Sequence, residues 1–326
     1  MSLSITRRSF LAGSTAFGGI ALVSAAEMCT GGATASPSCC GKGKSRSLYN
    51  GIEVGCITYS YRSMSQKNAE DIVKYAVEDG LGTLELKGEV VDEYLKRGGT
   101  RDMDRLPALR KMFDDAGVSI HIVKYGGIGG KNAKEDEYRV AVAKALGAKC
   151  ITREVPKVAE YETIGRRCAA IADKHGLFIA FHNHTQIDAL TYDGPLLGYS
   201  PNLRINFDIG HYVAAITDDA TRFIDPLAFI EKYHEKIFSL HLKDRTTKAN
   251  GSKTLMFGTG DTPLAKLFPF LQKKGSQFYC DIELEYAIPK GSNAVKEVAR
   301  CNDFCRKAAG CRQRRTRYQR RSLNPT

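Results

Sequence analysis

The sequence predicts an α/β protein of the (β/α)8 type, the TIM barrel. From residue 52 onwards, short β-type runs alternate with segments in which apolar residues recur at helical spacing. Strict alternation of this kind implies parallel strands that are joined by right-handed helical crossovers. The number of strand runs is eight, which is the number of parallel strands that closes this barrel.

The strand candidates are short runs of β-branched, aromatic and other apolar residues. They span residues 52–60, 83–86, 119–125, 149–155, 178–184, 204–210, 238–244 and 279–286. Amphipathic helix patterns lie between them, and five of these end in a glycine at the position where left-handed backbone terminates a helix: Gly80, Gly117, Gly147, Gly176 and Gly275.

An open doubly wound sheet is the alternative fold for the same alternation. That fold would require a phosphate-binding loop after an early strand. The glycine-rich candidate is YGGIGGKNA, residues 125–133. It has the spacing of neither a P-loop nor a dinucleotide fingerprint, so the barrel is favoured.

The charge of the chain is concentrated at its two ends. The chain has 48 basic and 36 acidic residues. Five basic residues and one acidic residue precede residue 47, while eight basic residues and no acidic one follow residue 305. The segment between them therefore carries 35 residues of each sign. Such a neutral body argues against nucleic acid as the partner.

The first 26 residues resemble a twin-arginine (Tat) export signal. Arg7 and Arg8 precede a Gly/Ala-rich apolar run that is too short to span a bilayer, and Val23-Ser24-Ala25 fits a signal cleavage site. We therefore expect export by the Tat machinery, a periplasmic or other extracytoplasmic location, and no stable membrane span. The predicted organisation is a signal at 1–26, a disordered linker at 27–50, a catalytic barrel at 51–305 and a basic disordered tail at 306–326.

The candidate functional residues lie where the predicted strands end, because barrels of this type carry their sites at the carboxyl ends of the strands. One polar side chain at a strand end is more often structural than catalytic. Here four consecutive strands each end in a nitrogen or oxygen donor, which is what a catalytic divalent cation requires. The candidates are Glu85 on strand two, His182 and His184 on strand five, Asp208 and His211 at strand six, His241 and Lys243 on strand seven, and Glu283 on strand eight.

Five motifs, taken in order, resemble the xylose isomerase-like barrel superfamily of sugar phosphate isomerases and epimerases. They are FHNH (181–184), FDIGH (207–211), HLKD (241–244), FGTGDTPL (257–264) and IELE (282–285), and the resemblance covers roughly residues 51–305. It implies that Asp208, His241 and Glu283 bind one divalent metal ion. The family's fourth ligand is usually a glutamate on strand five, a position that His182 occupies here. Two imidazole ligands favour manganese, cobalt or zinc over magnesium.

The resemblance also implies a reaction, the removal of a proton next to the carbonyl of a keto-sugar through an enediolate. Isomerisation or epimerisation would follow. We expect Glu283 to be the base and His184 the second proton-handling group. Lys243 would stabilise the oxyanion, and Glu85, His211 and Lys243 would bind substrate oxygens. The GTGD segment, residues 258–261, is interpreted either as a loop that closes over the rim or as a plain surface turn.

Three other functions remain open at this point. A metal-dependent lyase or dehydratase of an oxidised sugar would share the first step and then expel a substituent. A nuclease similar to AP endonuclease IV would need further metal ligands after strand seven, and residues 245–261 contain no histidine. A non-catalytic sugar-binding protein is disfavoured because none of the three family-matching ligands is missing. The sequence leaves homo-oligomer formation open.

Overall fold

The computed structural model describes residues 45–311 and contains the closed parallel barrel that the sequence predicts. Neighbouring strands pair in chain order, and the last strand pairs with the first, which closes the barrel. The barrel strands are β1 (Ile52–Ile57), β2 (Thr83–Lys87), β3 (Ser119–Lys124), β4 (Cys150–Glu154), β5 (Phe178–His182), β6 (Leu203–Asp208), β7 (Ile237–Leu242) and β8 (Tyr279–Ile282).

Helices surround the strands. They are α1 (Ala69–Glu78), α2 (Gly88–Leu95), α3 (Leu106–Asp115), α4 (Ala133–Leu146), α5 (Tyr161–His175), α6 (Ile209–Ala215), α7 (Pro226–Lys232), α8 (Leu264–Lys274) and α9 (Ala294–Ala308). The predicted glycine ends are confirmed, because each of those five glycines has a positive φ between 63° and 79°.

Two helices, α2 and α6, were absent from the prediction. Both begin at the residue that follows a strand, so no loop or turn signal separates strand from helix. The side chain of Asp208, the last residue of β6, accepts a hydrogen bond from the backbone N–H of His211 at 2.6 Å and so caps α6. An apolar run that changes conformation in this way looks like one continuous strand.

The strands alternate between two faces, and this alternation places the site. Outward residues such as Val54 and Leu84 join helix residues such as Ile72 in the main apolar core. In the lower part of the barrel the inward face holds a small separate apolar cluster that includes Cys150 and Ala180, and a buried polar group in which His121 bonds Thr83 and Asp281. Nearer the strand ends the inward face is polar and buried, and this polar end is where the predicted site residues lie.

The folded body extends beyond both predicted limits. Residues Leu48–Tyr49 form a short strand antiparallel to β1, and the hydroxyl of Ser47 bonds the carbonyl of Val54 at 2.6 Å. At the other end α9 continues to Ala308, and the buried Cys311 donates its backbone N–H to the carbonyl of Arg306. The prediction of disorder is therefore wrong for residues 45–50 and 306–311.

The remaining terminal predictions lie outside the described residues. These are the export signal, most of the linker and the tail beyond residue 311. Within residues 45–311, none of the helices combines the length and the apolar character needed to cross a membrane.

Candidate active site

Four buried side chains converge at the carboxyl ends of β5 to β8. Asp208 and His241 are paired residues on adjacent strands, and the backbone N–H of Glu283 extends the ladder by donating to the carbonyl of Leu242. With His182 at the end of β5, one possible ligand atom from each of the four lies within 4.8 Å of those of the others. The structure thus brings together the four residues that were predicted to bind metal.

His182 is held with one ring nitrogen facing this cluster. Its Nδ1 lies 2.7 Å from the amide oxygen of Asn206, whose amide nitrogen donates to Ser239 and Glu85 and so fixes the orientation of the amide. Burial, together with the charge of Lys124, holds the pKa of His182 well below its usual range. The ring is therefore neutral, and its Nε2 lone pair is left for a ligand.

His241 lies between two carboxylates. Its Nε2 is 2.9 Å from Glu85 and its Nδ1 is 2.7 Å from Glu283. Burial lowers the pKa of His241, but the two carboxylates outweigh burial and raise that pKa to about 10. A metal ion bound to His241 would displace the proton on the nitrogen that faces Glu283, while the other nitrogen would keep its hydrogen bond to Glu85, an arrangement that is common for histidine ligands.

Glu85 occupies a different place from the one predicted. It is fully buried, and its carboxylate accepts hydrogen bonds from Thr152 at 2.7 Å, Asn206 at 3.2 Å and His241 at 2.9 Å. Among the described residues, those that line the cavity do not include Glu85. The geometry therefore favours a role in orienting His241.

Lys243 is a buried cation beside the cluster. Its Nζ lies 2.6 Å from Glu285, 3.0 Å from Asp208 and 3.2 Å from Glu283. Burial lowers the pKa of Lys243, but the carboxylate of Asp208, then those of Glu283 and Glu285, outweigh burial and raise it. Lys243 is therefore protonated, and its positive charge lies next to three carboxylates.

The four-residue cluster fits a divalent cation. Asp208 Oδ2 is buried and, within residues 45–311, has no hydrogen-bond partner, because Lys243 Nζ is close in distance but outside hydrogen-bond geometry. Burial raises the pKa of Asp208, which a bound cation would offset. Two carboxylates and two imidazoles form a donor set that suits zinc, manganese or cobalt.

A cavity of about 220 Å³ opens above this cluster. Its lining includes three of the predicted site residues, His182, His184 and Glu283. The whole lining is Ile57, Tyr59, Lys87, Lys124, Glu154, His182, His184, Glu283 and Glu285.

The two remaining predicted histidines differ in their surroundings. His184 is about half exposed, and its Nε2 lies 3.4 Å from Glu154. His211 is mostly buried, and its ring nitrogens lie 2.8 Å from Lys243 Nζ and 2.7 Å from Arg245 Nη1. Burial, then the charge of Lys243, lowers the pKa of His211 to about 3, so this ring is neutral.

Sequence analysis missed Lys124 and Glu154, which form a pair on the cavity wall. Lys124 Nζ lies 2.8 Å from Glu154 Oε1. Glu154 Oε2 is buried without a hydrogen-bond partner in the described part of the chain, and it lies 4.0 Å from His182 Nε2. These two residues end β3 and β4 on the inward face, so the rule that identified the other strand ends would have found them as well.

The GTGD segment is a fixed turn rather than part of the cavity wall. The side chain of Asp244 accepts hydrogen bonds from the backbone N–H groups of Gly258, Thr259 and Gly260 at 2.8 to 3.1 Å. Gly258 has φ +85°, and a Cβ on Gly260 would lie 2.3 Å from Asp244. These contacts favour the interpretation as a plain turn over that as a closing loop.

The fold and the site define a TIM barrel with a buried His/Asp/Glu cluster at the carboxyl ends of its strands. The chain belongs to the xylose isomerase-like TIM barrel family, whose model matches residues 73–304. No curated protein is significantly similar to the chain.

Solved structures share the fold at low sequence identity. A probable 3-DHS dehydratase from Bacillus anthracis, involved in petrobactin synthesis, is 16% identical, with a TM-score of 0.60 over 77% of this chain and 98% of its own. D-psicose 3-epimerase from Clostridium cellulolyticum is 13% identical, with a TM-score of 0.58 over 80% of this chain and 100% of its own. The IolI protein, solved with a zinc atom, is 15% identical, with a TM-score of 0.58 over 79% of this chain and 99% of its own.

Proposed function

We propose that the chain is a divalent-metal-dependent enzyme that isomerises or epimerises a keto-sugar by removing the proton next to its carbonyl. The observation that carries this proposal is the convergence of His182, Asp208, His241 and Glu283 beneath a polar cavity. A divalent cation held by these four residues would polarise the substrate carbonyl and acidify the adjacent C–H bond.

Glu283 is the proposed base. It lines the cavity and also belongs to the cluster. Burial raises the pKa of Glu283, but the charges of Lys243 and His241 outweigh burial and hold that pKa well below its usual range. The carboxylate is therefore ionised, which is the state that a base needs before it takes a proton. The ammonium of Lys243, 3.2 Å from Glu283, would stabilise the negative charge that develops on the substrate.

The return of the proton is assigned to the opposite wall. β4 and β5 lie across the barrel from β8, and the cavity is lined there by Glu154, at the end of β4, and His184, just after β5. Proton removal by Glu283 on one side and delivery from His184 on the other would invert a carbon centre, which is the outcome of an epimerase. Delivery to the neighbouring carbon would give an isomer.

A lyase or dehydratase acting on an oxidised sugar is the second candidate. It uses the same proton removal, after which the electron pair expels an oxygen substituent from the next carbon. His182 stands where the family has a carboxylate, and this substitution favours the second candidate because it removes one half of a two-carboxylate acid/base pair. One structural neighbour is a probable dehydratase, which supports no more than that such chemistry occurs on this fold.

The experiment is turnover of a panel of keto-sugars in deuterated water by the metal-loaded protein. Isomerisation or epimerisation through an enediolate would place solvent deuterium on the carbon next to the carbonyl. An unsaturated or cleaved product would select the lyase. A product whose α-hydrogen neither exchanges nor leaves would contradict both candidates.

A further inference from the structure

A second cavity adjoins the candidate active site. It is a groove of about 330 Å³ between the turn that follows β1 and helices α1 and α2. Tyr59 and Lys87 line both the groove and the active-site cavity. The two cavities therefore meet at these two residues.

The volumes indicate a substrate larger than a single sugar. Small-molecule sites usually enclose about 300–1,000 Å³. The active-site cavity, at about 220 Å³, falls below that range, whereas the cavity and the 330 Å³ groove taken together fall within it. The active-site cavity would thus hold the reacting unit, and the groove would hold a second unit.

The charges that line the groove indicate an anionic second unit. Arg62, Lys67 and Lys87 line it, and so does one acidic side chain among the described residues, Glu89, which lies 3.5 Å from Lys87 Nζ. Two cationic side chains are therefore in excess. Arg62 and Lys87 flank the ring of Tyr59, at 4.8 and 5.1 Å from its centroid. An arginine guanidinium and a lysine ammonium that are held against one aromatic ring can together bind a carboxylate.

The walls of the groove are fixed by hydrogen bonds. The hydroxyl of the buried Thr58 accepts a hydrogen bond from the backbone N–H of Lys87 at 3.0 Å, which ties the turn after β1 to the end of β2. The guanidinium of Arg62 donates to the carbonyl of Leu284, next to Glu283. These contacts hold the walls in place, so little ordering entropy is lost when a ligand binds.

We propose that this groove is a subsite for a carboxylate-bearing second unit that is linked to the reacting sugar. The proposal rests on the proposed function for the position of the first unit. The substrate class is accordingly an acidic disaccharide or a similar glycoside rather than a free monosaccharide. Arg62 and Lys67 are the residues that would distinguish the acidic second unit from a neutral one.

A binding experiment can test this subsite without turnover. The chain contains no tryptophan, so Tyr59→Trp introduces a single fluorescent reporter at the junction of the two cavities. The probes are glucose, cellobiose and cellobiouronic acid, in which one glucose unit carries a carboxylate. We expect the acidic disaccharide to bind most tightly, about three- to tenfold more tightly than cellobiose, with glucose weakest. Added salt should reduce the difference between the two disaccharides.

The matched variants carry Arg62→Gln and Lys67→Gln in the reporter background, with Lys74→Gln as the control. Lys74 lies on α1, is exposed, and does not line the groove. The double variant should lose the preference for cellobiouronic acid and keep its affinity for cellobiose, and the control should keep both.

Three results would overturn the proposal. They are equal affinities for all three sugars, survival of the acidic preference in the double variant, and a response to inorganic phosphate alone that equals the response to the acidic disaccharide. The last result would describe a simple anion site. Because the readout is binding, failure of the subsite is distinguishable from failure of the proposed chemistry, which is measured by deuterium incorporation.

Discussion

Replacement of Glu85 by glutamine should weaken metal binding, although Glu85 is not one of the proposed ligands, because Glu85 orients the ligand His241. Glu85 accepts hydrogen bonds from Thr152, Asn206 and His241 in a fully buried position. A glutamine can place its amide oxygen towards His241 and Asn206, and the hydroxyl of Thr152 can rotate to accept from its amide nitrogen. The variant therefore keeps the contacts and loses the negative charge.

The size of the effect follows from this change. A hydrogen bond to a charged acceptor is about twice as strong as a neutral one, and loss of such a partner of a metal-ligating histidine typically costs about 10- to 100-fold in metal affinity. We expect Glu85→Gln to weaken the affinity for the metal ion about tenfold, which is about 1.4 kcal/mol of binding free energy. Glu85→Ala leaves His241 without this hydrogen-bond partner and should weaken the affinity for the metal ion about 100-fold.

The assay is competition for zinc against a chromophoric chelator, with Glu78→Gln as the control. Glu78 is an exposed residue of α1, and its replacement should change nothing. Metal affinity that is unchanged in Glu85→Gln, together with a raised KM for sugar, would restore the substrate-binding role that the sequence predicted and would refute the orienting role.

Three further predictions concern other parts of the chain. Glu283→Gln should reduce turnover by about 10²–10⁴-fold with a far smaller effect on substrate binding, because it removes the base; an unimpaired turnover rate would show that another group takes the proton. Asp79, buried against the hydroxyl of Tyr61, has its pKa raised by burial to about 8, so the native state holds a proton that the unfolded state releases above about pH 4. The unfolding free energy should therefore fall by up to about 1.4 kcal/mol per pH unit as the pH rises from about 4 to about 8. Asp79→Asn should flatten the dependence of Tm on pH between 5 and 8. Parallel curves for the wild type and the variant would contradict the assignment. Arg7→Lys combined with Arg8→Lys should retain the protein in the cytoplasm, as tested by fractionation, and normal export of the double variant would exclude the twin-arginine interpretation.

Much of the barrel could be predicted because its strands and helices differ in hydrophobic period. The eight strands and the glycine-terminated helices were confirmed for this reason. The helices α2 and α6 were missed because each follows its strand without a turn. The segment 45–50 was assigned to a linker because its composition is polar. In the structure the hydroxyl of Ser47 donates a hydrogen bond to the carbonyl of Val54 and accepts one from the backbone N–H of Gly82, which fixes the segment to the start of the barrel.

The site was predicted in part, because strand ends can be identified from sequence but side-chain partners cannot. The four-residue cluster was predicted from its placement on four consecutive strand ends and from the resemblance to the family. The position of Glu85 one layer deeper than the cavity depends on the tilt and stagger of the strands, which the sequence pattern does not encode. Lys124 and Glu154 were overlooked because the motifs drew attention to β5 to β8, although both residues end strands on the inward face.

The metal content of the purified protein tests the central claim most directly. After exhaustive dialysis, elemental analysis should find one divalent cation per chain in the wild type and none in Asp208→Ala, with manganese, cobalt or zinc retained in preference to magnesium. The same preparations should show turnover only when metal is present. A metal-free protein that is fully active, or an Asp208→Ala variant that retains its cation, would contradict the account.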